Sequence, residues 1–183
     1  MLNSIIGFLG SGAGGGGGSY ESIATFNGTG SSGSIVFSSI PSTYVALQLR
    51  INAVMVTGSN SINIQLNGDT GANYTRHRLY GDGTSAVADG ATALGQAGLT
   101  VGGTGDTTYP YAIITDILDY ASTSKNKTIR TFSGVNKNGT TTESVNLCSN
   151  LWLNTAAVNS LTVLSASNFA TSTTVALYGI KGA

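Results

Sequence analysis

The lone histidine, His77, sits in Tyr74-Thr75-Arg76-His77-Arg78-Leu79-Tyr80. One imidazole cannot build a histidine-rich metal site, and no serine stands in a Gly-x-Ser-x-Gly elbow to use it as a base. Read as a strand, the segment puts Tyr74, Arg76, Arg78 and Tyr80 on one face, and Thr75, His77 and Leu79 on the other. This is the only basic cluster of the chain, and tyrosine and arginine are enriched at interface hot spots. Tyr74, Arg76, His77, Arg78 and Tyr80 therefore form a candidate interface, although the commoner fate of a lone strand histidine is a hydrogen bond within its own sheet. The carboxylates are scattered. Asp69, Asp82, Asp89 and Asp106 fall in glycine-flanked turns, where aspartate bonds to its own backbone. Asp116 and Asp119 lie three apart on an expected strand and so on opposite faces. No spacing picks out a glycosidase pair or a calcium loop. Cys148 is the only cysteine, which excludes an intrachain disulfide and a thiolate metal cluster. In Val145-Asn146-Leu147-Cys148 it reads as a small buried residue, with no cation in the local sequence to lower its pKa. The run Gly12–Gly17 spells a dinucleotide-type glycine pattern, but no strand precedes it and no helix follows. Trp152 reads as core, with a sugar-stacking platform as the sharper alternative. The sequence thus offers no catalytic residues, no cofactor site and no metal site, and the expectation is a protein that is not an enzyme.

The elements that carry these residues follow a period of two. In Val45-Ala46-Leu47-Gln48-Leu49-Arg50-Ile51-Asn52-Ala53 the odd positions are apolar and the even ones largely polar. Ile62, Ile64 and Leu66 repeat the pattern. Further strands are expected over 20–26, 34–37, 74–80, 111–120, 127–132, 144–153, 160–164 and 173–181, filled with Thr, Ile, Val and Tyr. Turn signals separate them: Asn27-Gly28, Asn67-Gly68-Asp69, Gly81-Asp82-Gly83 and Asn138-Gly139. Short strands with such turns and no helical period predict an all-β, antiparallel β-sandwich of jelly-roll-like type. Residues 86–108, rich in small side chains, read mainly as a long exposed loop with a strand near Ala97–Val101.

Charged residues make up only 9% of the chain and the formal net charge is zero. Without clustered Lys and Arg there is no counterion-release route to nucleic acid. Ser, Thr and Asn, about a third of the residues, carry solubility where charge would be the norm. A neutral surface of this kind favours self-association. The first basic residue is Arg50, so residues 1–9 lack the positive n-region of a secretory signal, and they are too short to span a bilayer. No membrane partner is expected.

Residues 1–19 differ from everything after them. Leu2-Asn3-Ser4-Ile5-Ile6-Gly7-Phe8-Leu9 is an oily octet, and a glycine run, Gly14 to Gly18, follows it. Glycine loses the most backbone freedom on ordering, so such a tether does not hold its own shape. The layout predicts an anchoring arm (1–19) whose Leu2, Ile5, Ile6, Phe8 and Leu9 bury on a partner, joined to a sandwich domain (20–183).

Several phrases carry a family likeness. Tyr20-Glu21-Ser22-Ile23-Ala24-Thr25, Phe37-Ser38-Ser39-Ile40-Pro41, Leu66-Asn67-Gly68-Asp69-Thr70-Gly71, Leu79-Tyr80-Gly81-Asp82-Gly83, Asp116-Ile117-Leu118-Asp119-Tyr120 and the closing Leu177-Tyr178-Gly179-Ile180-Lys181-Gly182 resemble β domains of tailed-bacteriophage virion proteins. The likeness covers residues 20–183. It implies a particle component, a homotrimer held to other tail or capsid subunits by its arm. Its place would be the virion surface, either as a tail-fibre or receptor-binding part facing host surface glycan, or as a capsid cement or decoration protein. It carries over no catalytic residues.

Overall fold

A computed structural model describes residues 19–58, 61–100, 106–139 and 143–182. Twelve strands follow in order: β1 (Tyr20–Asn27), β2 (Ser34–Phe37), β3 (Ala46–Ala53), β4 (Ile62–Leu66), β5 (Tyr74–Gly81), β6 (Ala86–Leu94), β7 (Ala97–Gly98), β8 (Tyr111–Leu118), β9 (Lys127–Val135), β10 (Ser144–Trp152), β11 (Leu161–Ser165) and β12 (Thr174–Ile180). Every pairing is antiparallel. An eight-stranded sheet runs β1-β12-β3-β8-β9-β10-β5-β6, and a four-stranded sheet runs β2-β11-β4-β7. The all-β sandwich expected from the alternation is the fold observed.

The packing explains why the period-two segments became strands. Leu47, Leu49 and Ile51 of β3, Ile113 and Ile117 of β8, and Val175 and Leu177 of β12 turn one face inward. They meet Phe37, Ile62, Ile64, Leu66, Leu161 and Val163 of the smaller sheet. Burying each such side chain is worth about 1.5–3 kcal/mol. The Asn67-Gly68 turn signal is borne out: Asn67 and Gly68 both have positive φ (52° and 67°), and the Asp69 amide donates to Leu66 O at 3.0 Å. At the other end of the large sheet, Gly179 lies flat under Tyr44. A Cβ there would meet the Tyr44 ring at 2.3 Å, so only glycine fits.

Residues 86–108 depart from the loop expectation. The stretch Ala86–Leu94 is a nine-residue edge strand paired with β5, and Ala97–Gly98 is the short strand β7 against β4. Small side chains had suggested irregularity, but pairing to β5 supplies the ladder bonds that hold them extended. Asp89, expected in a turn, lies within β6 opposite Arg78. Of the expected strand near Ala97–Val101, Val101 lies outside the described residues, as do the arm residues Leu2, Ile5, Ile6, Phe8 and Leu9.

Candidate functional site

The large sheet changes character along its width. Over β3, β8 and β12 the inner face is apolar, but over β9, β10 and β5 it is largely polar. Thr131, Ser133, Ser144, Asn146 and Asn150 all point inward and are buried. Their partners are also internal. Thr115 and Thr131 hydroxyls lie 2.9 Å apart, and the Tyr111 and Ser144 hydroxyls 2.7 Å apart. Ser133 donates to Leu99 O at 2.8 Å, Asn146 donates to the same carbonyl at 3.2 Å, and Asn150 donates to Gly98 O at 3.0 Å. The chain around β7 thus lines this half of the interior with carbonyls. Lys127 is fully buried at the end of β9, where its ammonium donates to the carbonyls of Ser122, Lys125 and Thr155 at 2.7, 2.6 and 2.9 Å. Burial lowers the pKa of this amine.

Because side chains alternate across a strand, the residues between these polar ones face outward, and several of them are apolar. Ile114 pairs with Phe132, Phe132 with Leu147, Leu147 with Leu79, and Leu79 with Ala88. These residues form one continuous row across β8, β9, β10, β5 and β6 on the outer face. Ile114, Phe132, Leu147, Leu79 and the adjacent Val145 are 47–59% exposed. On one side of the row lies a depression of about 550 Å³ lined by His77, Leu79, Ala88, Arg130, Leu147 and Ser149. On the other side, a second of about 540 Å³ runs past Gly81, Ala112, Gly134 and Val145. This contiguous apolar row is the candidate site among the described residues, since exposed surface of this kind is where interaction sites are commonly found.

The candidate interface on β5 divides between the two faces. Tyr74 is buried rather than exposed. Its ring stacks on Trp152 (centroids 6.3 Å apart, 21° between planes), its hydroxyl accepts from the Leu66 amide at 2.9 Å, and burial pushes its pKa up to about 12. It is core, not interface. Arg76 and Arg78 face the same inner side and hold Asp89, Arg78 through Nε at 3.1 Å and Nη2, Arg76 at 3.5 Å. The Arg78 guanidinium also lies 5.0 Å from the centroid of the Tyr80 ring. The hydrogen bond from Arg78 holds the Asp89 carboxyl below the usual aspartate range. Of the five candidates, only His77 turns to the outer face. It is exposed, with its ring over Gly90, where an added Cβ would meet it at 2.7 Å, and among the described residues no hydrogen bond holds its ring. It is therefore not the hydrogen-bonded sheet histidine expected.

The remaining chemistry-bearing groups hold turns and core. Asp69 accepts from the Trp152 indole at 2.7 Å, from Asn73 Nδ2 at 2.9 Å and from the Gly71 amide at 2.8 Å, and these bonds lower its pKa. Asp82 accepts from the Thr84 and Ser85 amides, and Asp106 from those of Thr108 and Tyr109, as the turn reading requires. Trp152 is core, 1% exposed. Cys148 is buried as expected, but it does have cationic neighbours: Arg76 and Arg78 act on it from β5. Burial outweighs them and pushes the thiol up to about 11. Among the described residues no group of three or more His, Cys, Asp or Glu is placed to hold a metal ion.

One signal in the sequence could have found the apolar row. Trp152 and Asn146 share parity in β10, so placing the tryptophan in the core places Val145 and Leu147 outside. Fold and site together define a two-sheet antiparallel sandwich with an apolar outer face. No family model matches the chain, and no curated protein does. Among solved structures it is similar to a marine PL-14 alginate lyase from Aplysia kurodai, at 9% identity over 79% of this chain and 72% of that one, with a TM-score of 0.31. A protein of unknown function from Shewanella oneidensis MR-1 is similar at 10% identity over 91% and 77%, with a TM-score of 0.19. Likenesses at this level carry no argument about what the chain does.

Proposed function

We propose that this chain is a non-enzymatic structural subunit of a bacteriophage particle, of the tail-fibre or receptor-binding type, which assembles through the outer face of its large sheet. The observation that supports this most is the row Ile114–Phe132–Leu147–Leu79. It gives a neutral, weakly charged protein an exposed apolar surface of the kind that oligomer interfaces bury. The phrases shared with virion β domains support the phage setting and a homotrimer. The ends of the sandwich are then the parts offered to a host surface glycan.

Sedimentation of the full chain should show a concentration-dependent oligomer. Exchanging Phe132 and Leu147 together for serine should weaken association at least tenfold while shifting unfolding by no more than about 0.5 kcal/mol per site, as at other exposed positions. Unchanged association refutes the interface. In intact particles, antibody label at the tail supports a fibre, label over the whole head identifies a cement protein instead, and absence from particles sinks the reading.

A further inference from the structure

We infer that the occupant of the apolar row is the N-terminal octet of a neighbouring copy, with Leu2, Ile5, Ile6, Phe8 and Leu9 laid across β8, β9, β10 and β5. The inference rests on the reading of the chain as an assembling subunit and names the contact that reading requires.

Size is the first argument. With strands spaced about 4.8 Å apart, the row from Ile114 to Leu79 spans ~14 Å, and ~19 Å as far as Ala88. An eight-residue segment can span up to ~26 Å, enough to cover the row and its alanine flank.

Charge is the second. No charged side chain precedes Glu21, and the row itself is uncharged. The outer-face residues Asp116 and Arg130 stand opposite each other in the register two residues along, in line with Ser149 and His77, and Asp116 accepts from Gln48 Nε2 at 2.8 Å. The octet can therefore lie over the row from Ile114 to Leu79, short of Arg50 on β3, without covering a charged side chain.

The path of the chain decides whose octet it is. Ser19 O accepts from the Lys181 amide, so the chain still follows the ladder as it leaves β1. Tyr20 pairs with Ile180, whereas the apolar row lies level with Ala176 and Arg50. Traced backwards from Tyr20, the chain heads away from the row. To dock on its own sheet it would have to reverse and then cover ~20 Å, three strand spacings over and four residues back. It would also cross Arg50, whose guanidinium lies between the rings of Tyr20 and Tyr178 at 4.9 and 4.8 Å. Ten residues of glycine-rich sequence treated as a random coil have a root-mean-square span of ~17 Å, less than that ~20 Å distance.

The test uses the full chain with a benzophenone amino acid replacing Phe8. Equal amounts of ¹⁴N and ¹⁵N protein are mixed, irradiated and digested, and the cross-linked peptides are weighed. The expected product joins residue 8 to a β9, β10 or β5 peptide with the two isotopes mixed. Leu147→Lys should cut its yield at least tenfold, and Leu79→Lys provides a second check, with Trp152 fluorescence reporting that both variants fold. Three results overturn the inference: cross-links confined to one isotope, cross-links mapping elsewhere, or yields indifferent to both lysines. A chain that sediments as an oligomer but cross-links elsewhere loses this contact alone. A chain that stays monomeric at every concentration loses the assembly reading with it.

Discussion

Removing the Asp69 carboxylate should destabilise the fold through a residue it touches only at one atom. Asp69 lies in the turn between β4 and β5, yet its Oδ2 is the acceptor for the indole of Trp152, at 2.7 Å. Trp152 is buried at the end of β10 and stacked on Tyr74, so Asp69→Ala leaves the indole N–H without its acceptor. A buried donor left without a partner costs about 1–3 kcal/mol. The Asn73 bond adds to this, whereas the Gly71 amide is exposed and regains water. The sum is about 2–4 kcal/mol, which lowers the Tm of a chain this size by roughly 4–16 °C. Asp69→Asn keeps a neutral oxygen for the indole and should cost about half as much. Urea unfolding is followed by fluorescence, since Trp152 is the only tryptophan and reports its own site. The pH dependence has a definite sign. The folded pKa of Asp69 is depressed below the ordinary value near 3.8, so its contribution is complete above that value and lost as pH falls through the folded pKa. The gap between the natural protein and Asp69→Asn should therefore be flat from pH 7 to 5 and close in stronger acid. An Asp69→Ala loss under 0.5 kcal/mol, or a gap that widens in acid, would refute the assignment.

Cys148 should resist disulfide reagents at pH 8 in the native state and react at once in urea, because burial holds its pKa near 11; rapid native labelling would show that this part of the sheet opens. Gly179→Ala drives a methyl group into the Tyr44 ring at 2.3 Å and should cost at least the 1–3 kcal/mol of a typical overpacked site, read as a fall in Tm.

The sandwich was legible because alternation survives wherever one face meets a greasy core: the limits expected for 34–37 are those of β2, and Ile62, Ile64 and Leu66 fall in β4. β6 was not, since Ala86–Leu94 has few large side chains and is extended by pairing with β5, a long-range cause that no local pattern records. The candidate interface on β5 failed for a related reason. Alternation separates Tyr74, Arg76, Arg78 and Tyr80 from His77 and Leu79, but it does not say which set faces in. The usual rule buries the apolar set. Here the arginines face inward, where Asp89 on the neighbouring strand neutralises them, and Leu79 faces out. For β10 the sequence did hold the answer, in the parity Trp152 shares with Asn146, although Leu147 alone would have pointed the other way.

The carbonyls of Gly98 and Leu99 have a consequence for how β9 and β10 find their frame. At the middle of the two strands hydrophobic burial alone would favour a one-residue slip, since it would turn Phe132 and Leu147 in and Thr131 and Asn146 out. The slip would also expel Trp152 and Ile129 and leave those carbonyls facing hydrocarbon with no donors. The polar lining thus works as a key that admits one alignment, and it lets the sheet keep a greasy back without risking being built inside out.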